Sequence, residues 1–237
     1  LFVRRLRFKD RLLGGFPFFT RFRRRYALHI VRLGLPAAAL NTLFSFVSMF
    51  LSRTASTQGG HIGLMAFTTG GQIEAVTWNT AQGLSTALST FVAQNYAAGA
   101  QDRVKRALRA VLRISLPIGA ICSVLFILYG SEIFALFVPE AEAARVGGDY
   151  LRIDGYSLLF MMMEITMQGT FYGLGRPLPP AVISIACNYM RIPIALVLVH
   201  LGLGVAAIWW AVSLTSIAKG IISTAWFLHI RRKVFTL

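Results

Sequence analysis

Nine acidic side chains occur in the 237 residues, and two of them fall deep inside apolar runs. Glu74 lies in Gly71-Gln72-Ile73-Glu74-Ala75-Val76, and Glu164 follows Met161-Met162-Met163. A carboxylate placed in hydrocarbon costs roughly 3 kcal/mol on insertion scales, so such a group normally faces a bundle interior and has a task. It can take up a proton, hold a small cation, or meet the charge of a substrate. The other seven (Asp10, Asp102, Glu132, Glu140, Glu142, Asp149 and Asp154) read as loop or span-end residues.

Helical spacing extends both carboxylates into stripes. Glu74, Trp78, Gln82, Ser85 and Ser89 share one face, with Asn79, Thr86 and Gln94 close beside it. Tyr156, Phe160, Glu164, Gln168 and Tyr172 repeat the pattern, with Met161, Met162, Met163 and Met167 around the carboxylate. A polar stripe on an apolar helix suits a water-filled cavity. It also suits a helix contact held by polar side chains. Trp78 and Tyr156 offer cation–π faces, and methionine adapts to varied apolar ligands or simply fills core space. Asn188 and Arg191, and further on Lys219, interrupt later apolar runs. Either cation can pair with a buried carboxylate, and such a pair can be purely structural.

Other chemistries lack their residues. No Gly-rich loop with Lys-Ser/Thr is present for ATP. The four histidines (His29, His61, His200, His229) are scattered, and no nucleophile–base set is recognisable. The expectation is therefore a protein that is not an enzyme, with no metal centre and no cofactor beyond a coupling ion, Na⁺ or H⁺. Cys122 and Cys187 sit in apolar runs and read as small buried side chains.

The elements that must position these groups are membrane helices. Hydrophobic residues make up 56% of the chain and charged residues 14%, against about 25% charged in an average soluble domain. Six apolar segments are legible, near 33–52, 61–98, 111–129, 150–174, 181–201 and 205–230. A crossing needs roughly 20 apolar residues. Gln58-Gly59-Gly60, Gly99–Asp102, Gly130, Gly173–Pro177 and Gly202–Gly204 separate them with turn chemistry. Asp102 is placed as the N-cap of the third helix. The second segment is too long for one straight crossing, and Gly70-Gly71 and Gly83 are its expected soft points. Pro36, Pro117 and Pro193 are expected kink sites. The fold class is all-α, a six-helix polytopic bundle. It divides into a basic segment at 1–32, the bundle at 33–230 and a tail at 231–237.

The net charge of +15 raises the possibility of nucleic acid, but its distribution follows the membrane instead. Ten Lys/Arg fall in residues 1–32. Putting that segment in the cytoplasm places 19 of the 24 Lys/Arg on the cytoplasmic side. Arg53, Arg145 and Arg152 then fall on the other side, and Arg191 and Lys219 lie within spans. This is a positive-inside bias, with both ends cytoplasmic and no nucleic-acid partner. The interleaved phenylalanines of 1–32 suit an anionic headgroup layer, as they do a solvated loop.

Several stretches together resemble the multidrug and toxic compound extrusion family. These are Leu33-Gly34-Leu35-Pro36, Gln82-Gly83-Leu84-Ser85-Thr86-Ala87-Leu88-Ser89-Thr90 with Gln94-Asn95-Tyr96-Ala97-Ala98-Gly99, Gly169-Thr170-Phe171-Tyr172-Gly173-Leu174-Gly175-Arg176-Pro177, and Arg191-Ile192-Pro193. The resemblance covers about residues 30–230 and matches the C-terminal six helices of a twelve-helix transporter. It implies a bacterial inner-membrane antiporter that exports cationic and other organic amphiphiles in exchange for Na⁺ or H⁺. It also implies a missing N-terminal six-helix half as partner. Glu74, Glu164, Trp78, Gln82, Gln168, Tyr156, Asn188 and Arg191 are the expected ion- and substrate-binding contacts, with Glu74 or Glu164 as the place for a Na⁺. The family departs from this chain in the first span, where some members carry an acid and this helix offers Asn41 and Ser/Thr. A lipid-linked oligosaccharide flippase of the same superfamily would need a larger, more cationic cleft. A membrane scaffold would need no buried carboxylates.

Overall fold

The computed structural model describes the backbone of residues 24–234 and the side chains of residues 42–231. Among the described residues all regular structure is helical: α1 (Arg24–Ala97), α2 (Gln101–Ala135), α3 (Ala141–Gly173), α4 (Leu178–His200) and α5 (Ala206–Val234). Residues up to Leu43 form one unit and Phe44 onward another. The side chains described below belong to the second unit. Most of the basic segment at 1–32, and the last residues of the tail, lie outside the described residues.

The first two expected spans are a single run broken at one residue. Gly60 adopts φ 60 and ψ −149 inside α1, a conformation that a side chain would clash with. The expected three-residue loop at 58–60 is thus a one-residue hinge. Beyond it the helix continues to Ala97 with no further break, so the expected softness at Gly70-Gly71 and Gly83 is corrected. Gly70 has a different task. A Cβ there would overlap the ring of Tyr150, so its absence lets α3 lie close against α1.

The other kink also departs from expectation. Pro117 and Pro193 lie within helices whose dihedrals stay helical around them, and α2 bends instead at Tyr129 (φ −119, ψ 23). The next residue, Gly130, packs directly on α3, where an added Cβ would stand 2.8 Å from the carbonyl of Gly148. The bend brings α2 to that contact. Asp102 is not the cap. The N-cap is Ala100, and Asp102 sits in the first turn beside Lys105 at 3.5 Å.

Three helices, α2, α4 and α5 as far as Arg231, are long and apolar enough to cross a membrane by composition alone. The six expected spans therefore divide. Among the described residues, α1 beyond Gly60 and α3, which carry the polar stripes, do not reach that measure. They gain their place in the bundle by packing. α3 is the hub, contacting α2 and α5 extensively. Against α1 it is fastened by the Ser85 hydroxyl, which donates to the Ile165 carbonyl at 2.8 Å. Gly169 permits that approach, since a Cβ there would lie 2.5 Å from the Ser85 carbonyl oxygen. The Ser115 and Thr166 hydroxyls meet at 3.3 Å between α2 and α3. Ser213 of α5 donates to the Ile153 carbonyl at 3.0 Å. Such small polar residues are what holds helices together where lipid removes the hydrophobic drive.

Gly169→Leu should therefore push α1 off α3 and destabilise the protein by about 1–3 kcal/mol or more, the scale of overpacking. Gly83, around which a Cβ meets nothing within 4 Å, should accept alanine with a gain of about 0.5–1 kcal/mol. Thermal unfolding midpoints in detergent check both, with the two shifts expected in opposite directions.

Candidate functional site

A cavity of about 620 Å³ opens among α1, α3, α4 and α5. Seven of the eight expected contacts line it: Glu74, Trp78 and Gln82 from α1, Glu164 and Gln168 from α3, and Asn188 and Arg191 from α4. Side chains from three helices meet here because α3, at the hub, packs against α1 and α5, and α4 packs on α5.

The eighth, Tyr156, is corrected. It is 47% exposed, absent from the lining, and stacked on Trp210 with ring centroids 6.0 Å apart. It stands eight residues before Glu164, and at about 100° per residue two i, i+4 steps leave it about 80° around the helix from the carboxylate. The α1 stripe divides for a similar reason. Glu74, Trp78 and Gln82 face the cavity, while Ser85 turns into the α3 contact. Both readings of that stripe hold, at different positions. Of the methionines, Met161 reaches the lining, whereas Met162 and Met167 are buried in helix contacts.

The two carboxylates have unlike surroundings. Glu164 and Lys219 form an ion pair at 3.2 Å, with side chains 9% and 12% exposed. Ser184 approaches the other carboxylate oxygen at 3.5 Å. The sequence offered this pairing as one of several. It works because Lys219 on α5 projects beside α3, where Gly220 lets α5 pack on the backbone of Phe160. The ammonium therefore stands where an ion held by Glu164 alone would stand.

Glu74 is the acceptor of one hydrogen bond, from the Tyr150 hydroxyl at 3.1 Å to Oε2. Tyr150 is held by its ring. It meets Trp209 edge-on at 5.0 Å and Phe67 edge-on at 6.2 Å, and Phe67 and Trp209 stack at 5.9 Å. Three aromatic residues from three helices thus aim one hydroxyl at one carboxylate. Tyr150 was missed in the sequence because it begins an apolar segment. Its i+4 relation to Asp154 was the available signal.

Asp154 is a further correction. It is not a span-end residue but is 3% exposed in the middle of α3. Its Oδ1 accepts from the Ser157 hydroxyl at 3.1 Å, and its Oδ2 has no partner. Arg191 donates from Nε to Thr215 Oγ1 at 3.0 Å and from Nη2 to Ser216 Oγ at 3.3 Å. Asn188, one turn earlier, lines the cavity with its Oδ1 unpartnered. Cys122 and Cys187 are both free thiols, half-buried and buried.

The MatE family model matches residues 36–197. The chain is 27% identical over 188 residues to a probable multidrug resistance protein NorM of Thermotoga maritima, covering 76% of this chain and 39% of that one. It is 28% identical over 172 residues to a probable multidrug resistance protein YoeA of Bacillus subtilis, covering 72% and 37%. The chain thus spans about two fifths of the length of these relatives. The fold superposes on an inward-facing multidrug resistance MATE family transporter of the MOP superfamily with TM-score 0.81 and 20% identity, over 95% of this chain and 51% of that one. An outward-facing conformation of such a transporter gives TM-score 0.75 and 20% identity, over 95% and 50%.

Removing one partner of the Glu164–Lys219 pair leaves a buried charge uncompensated, which costs about 3–5 kcal/mol. Lys219→Met should therefore lower the unfolding midpoint sharply. Adding Glu164→Gln to it should recover most of the loss. Equal midpoints for single and double variants would show that the pair carries no coupling energy.

Proposed function

Because the chain belongs to the MatE family of multidrug transporters, we propose that it forms half of the substrate path of an exporter. Organic amphiphiles leave the cell in exchange for H⁺ or Na⁺, and the exchange is made at Glu74. The observation that carries this reading is the placement of Glu74. Its carboxylate lies on the cavity wall, is oriented by Tyr150, and has no salt bridge among the described residues. Glu164, expected from sequence to share the task, is occupied by Lys219. In this reading the Glu164–Lys219 pair shapes the wall, and Glu74 alone changes its state.

The chemistry follows from charge. A proton or cation at Glu74 cancels its negative charge and weakens its hold on a substrate's positive group. A substrate held there excludes the ion. Ion entry and drug release are then two sides of one competition, which is antiport by mutual exclusion. Trp78, one turn from Glu74, gives an aromatic face for the substrate's cation, and Met161 and Phe67 give adaptable apolar contact. The distribution of Lys/Arg supports placing the loop between α1 and α2, the loop between α3 and α4 and the C-terminal end on the cytoplasmic side. The residues that relatives carry beyond the matched stretch would supply the opposing wall. Two carboxylates and two cations line this cavity, so it lacks the positive excess that a phosphate-linked oligosaccharide lipid requires.

Dye efflux from cells carrying the full-length transporter tests the assignment. Glu74→Gln should lower efflux about tenfold or more, the loss of a charge contact of 1.4 kcal/mol or above. Wild-type efflux in Glu74→Gln would remove this carboxylate from the coupling.

A further inference from the structure

We propose that the first turns of α2 bind an anionic glycerophospholipid. Its phosphate is held between Arg109 and Arg113, and its acyl chains lie along the apolar row that follows on the same helix. The site is outside the cavity and is independent of the export reading.

Arg103, Arg106, Arg109 and Arg113 are all exposed on α2. At about 100° per residue, the last three fall within a sector of about 60° around the axis. None of the four is in a salt bridge among the described residues. Arg109 donates from Nε to the Lys105 carbonyl at 3.4 Å, a contact that leaves its charge in place. The acid nearest in sequence, Asp102, is taken up by Lys105 at 3.5 Å. Val104 and Leu108 of α2 share a packed cluster with Phe171 and Leu174 of α3 and Phe227 of α5. These helix ends therefore meet at one end of the bundle, which also carries the exposed Arg176 and Arg231. The acids Glu132, Glu140, Glu142 and Asp149 belong to the far end of α2, the turn after it and the start of α3.

Depth along the helix supplies a second, independent sign. Arg113 is followed by eighteen uncharged residues, Ile114–Ser131, before Glu132. That stretch rises about 27 Å, close to the roughly 30 Å of hydrocarbon in a bilayer. Arg113 thus marks one edge of the apolar layer, at the level of lipid phosphates, and Arg109 lies about 6 Å farther out. Below Arg113 the exposed residues Pro117, Ala120, Val124 and Leu128 lie within about 60° of it around the axis. A merely solvated charge run would not lead straight into an exposed apolar row. Guanidinium forks grip phosphate oxygens, and side chains one turn apart reach a common group. Their stems lie along apolar surface while the charged heads meet the phosphate. Charge selects the lipid. A headgroup with a phosphate and no ammonium gains from the whole cluster, whereas phosphatidylcholine brings a cation into it. A soluble phosphate leaves the apolar row uncovered. The Lys/Arg distribution that supports a cytoplasmic location for this end puts the cluster in the leaflet that carries anionic lipid.

Phosphatidylglycerol and phosphatidylcholine carrying the same fluorescent acyl chain test the site. Binding of each to the full-length transporter, in non-ionic detergent at roughly 0.15 M salt, is read by fluorescence anisotropy. Wild type should bind the phosphatidylglycerol about twentyfold more tightly than the phosphatidylcholine. Arg109→Gln and Arg113→Gln should each weaken it about fivefold, the scale of one arginine at an anionic surface. The double variant should bind both lipids alike. Arg145→Gln, which removes an exposed charge at the other end of the bundle, should keep the wild-type preference. Equal binding of the two lipids by wild type overturns the proposal. So does a preference that survives the double variant, or one that falls as far in Arg145→Gln. Displacement of the bound lipid by millimolar glycerol 3-phosphate or by a polyglutamate peptide overturns it too, because the cluster would then serve a soluble anion.

Discussion

A charge inside a membrane bundle has to be answered by another charge, by hydrogen bonds or by water, and the charged residues lining the cavity are arranged around that demand. Glu164 and Lys219 answer one another directly. Glu74 is answered by the Tyr150 hydroxyl and by the open cavity. Arg191 is answered by two hydroxyls, by the charges of Glu74, Glu164 and Asp154, and by the same cavity. The cavity is therefore a condition for keeping two of the four charges, and the bundle must hold it open.

That requirement explains which helices are purely apolar and which are not. α2 and α4 are little buried by the other helices and are apolar enough to cross a membrane alone. α3 is buried along most of its length and carries Asp154, Glu164, Gln168 and several hydroxyls. Its neighbours are held close by glycines and by side-chain to backbone hydrogen bonds, such as Ser85 to Ile165. Close contacts of this kind leave little slack, so the residues opposite them are held rigidly. The Phe67–Tyr150–Trp209 cluster gives the same rigidity to the hydroxyl that serves Glu74.

The unequal treatment of the two carboxylates divides labour within one site. A paired carboxylate keeps its geometry whatever the ligand does, because its counter-charge is built into the fold. An unpaired carboxylate changes its interactions with whatever enters. On the proposed reading, one site thus contains a fixed wall and a responsive one. The unpartnered Asp154 Oδ2, one turn beyond Tyr150 on α3, adds a further polar atom behind the responsive wall.

Sequence alone determined the membrane class, the helix periodicity and which apolar stretches held Glu74, Glu164, Asn188 and Arg191, since hydropathy and turn residues are local properties of the chain. It also placed the break near Gly60, because only glycine adopts that backbone conformation without cost. Tertiary packing decided the rest. It selected Lys219 for Glu164, aimed Tyr150 at Glu74, buried Asp154, turned Tyr156 away onto Trp210, and moved the bend of α2 from Pro117 to Tyr129. Each of these depends on the rotation and depth of one helix against another, and spacing along a single helix does not encode that relation.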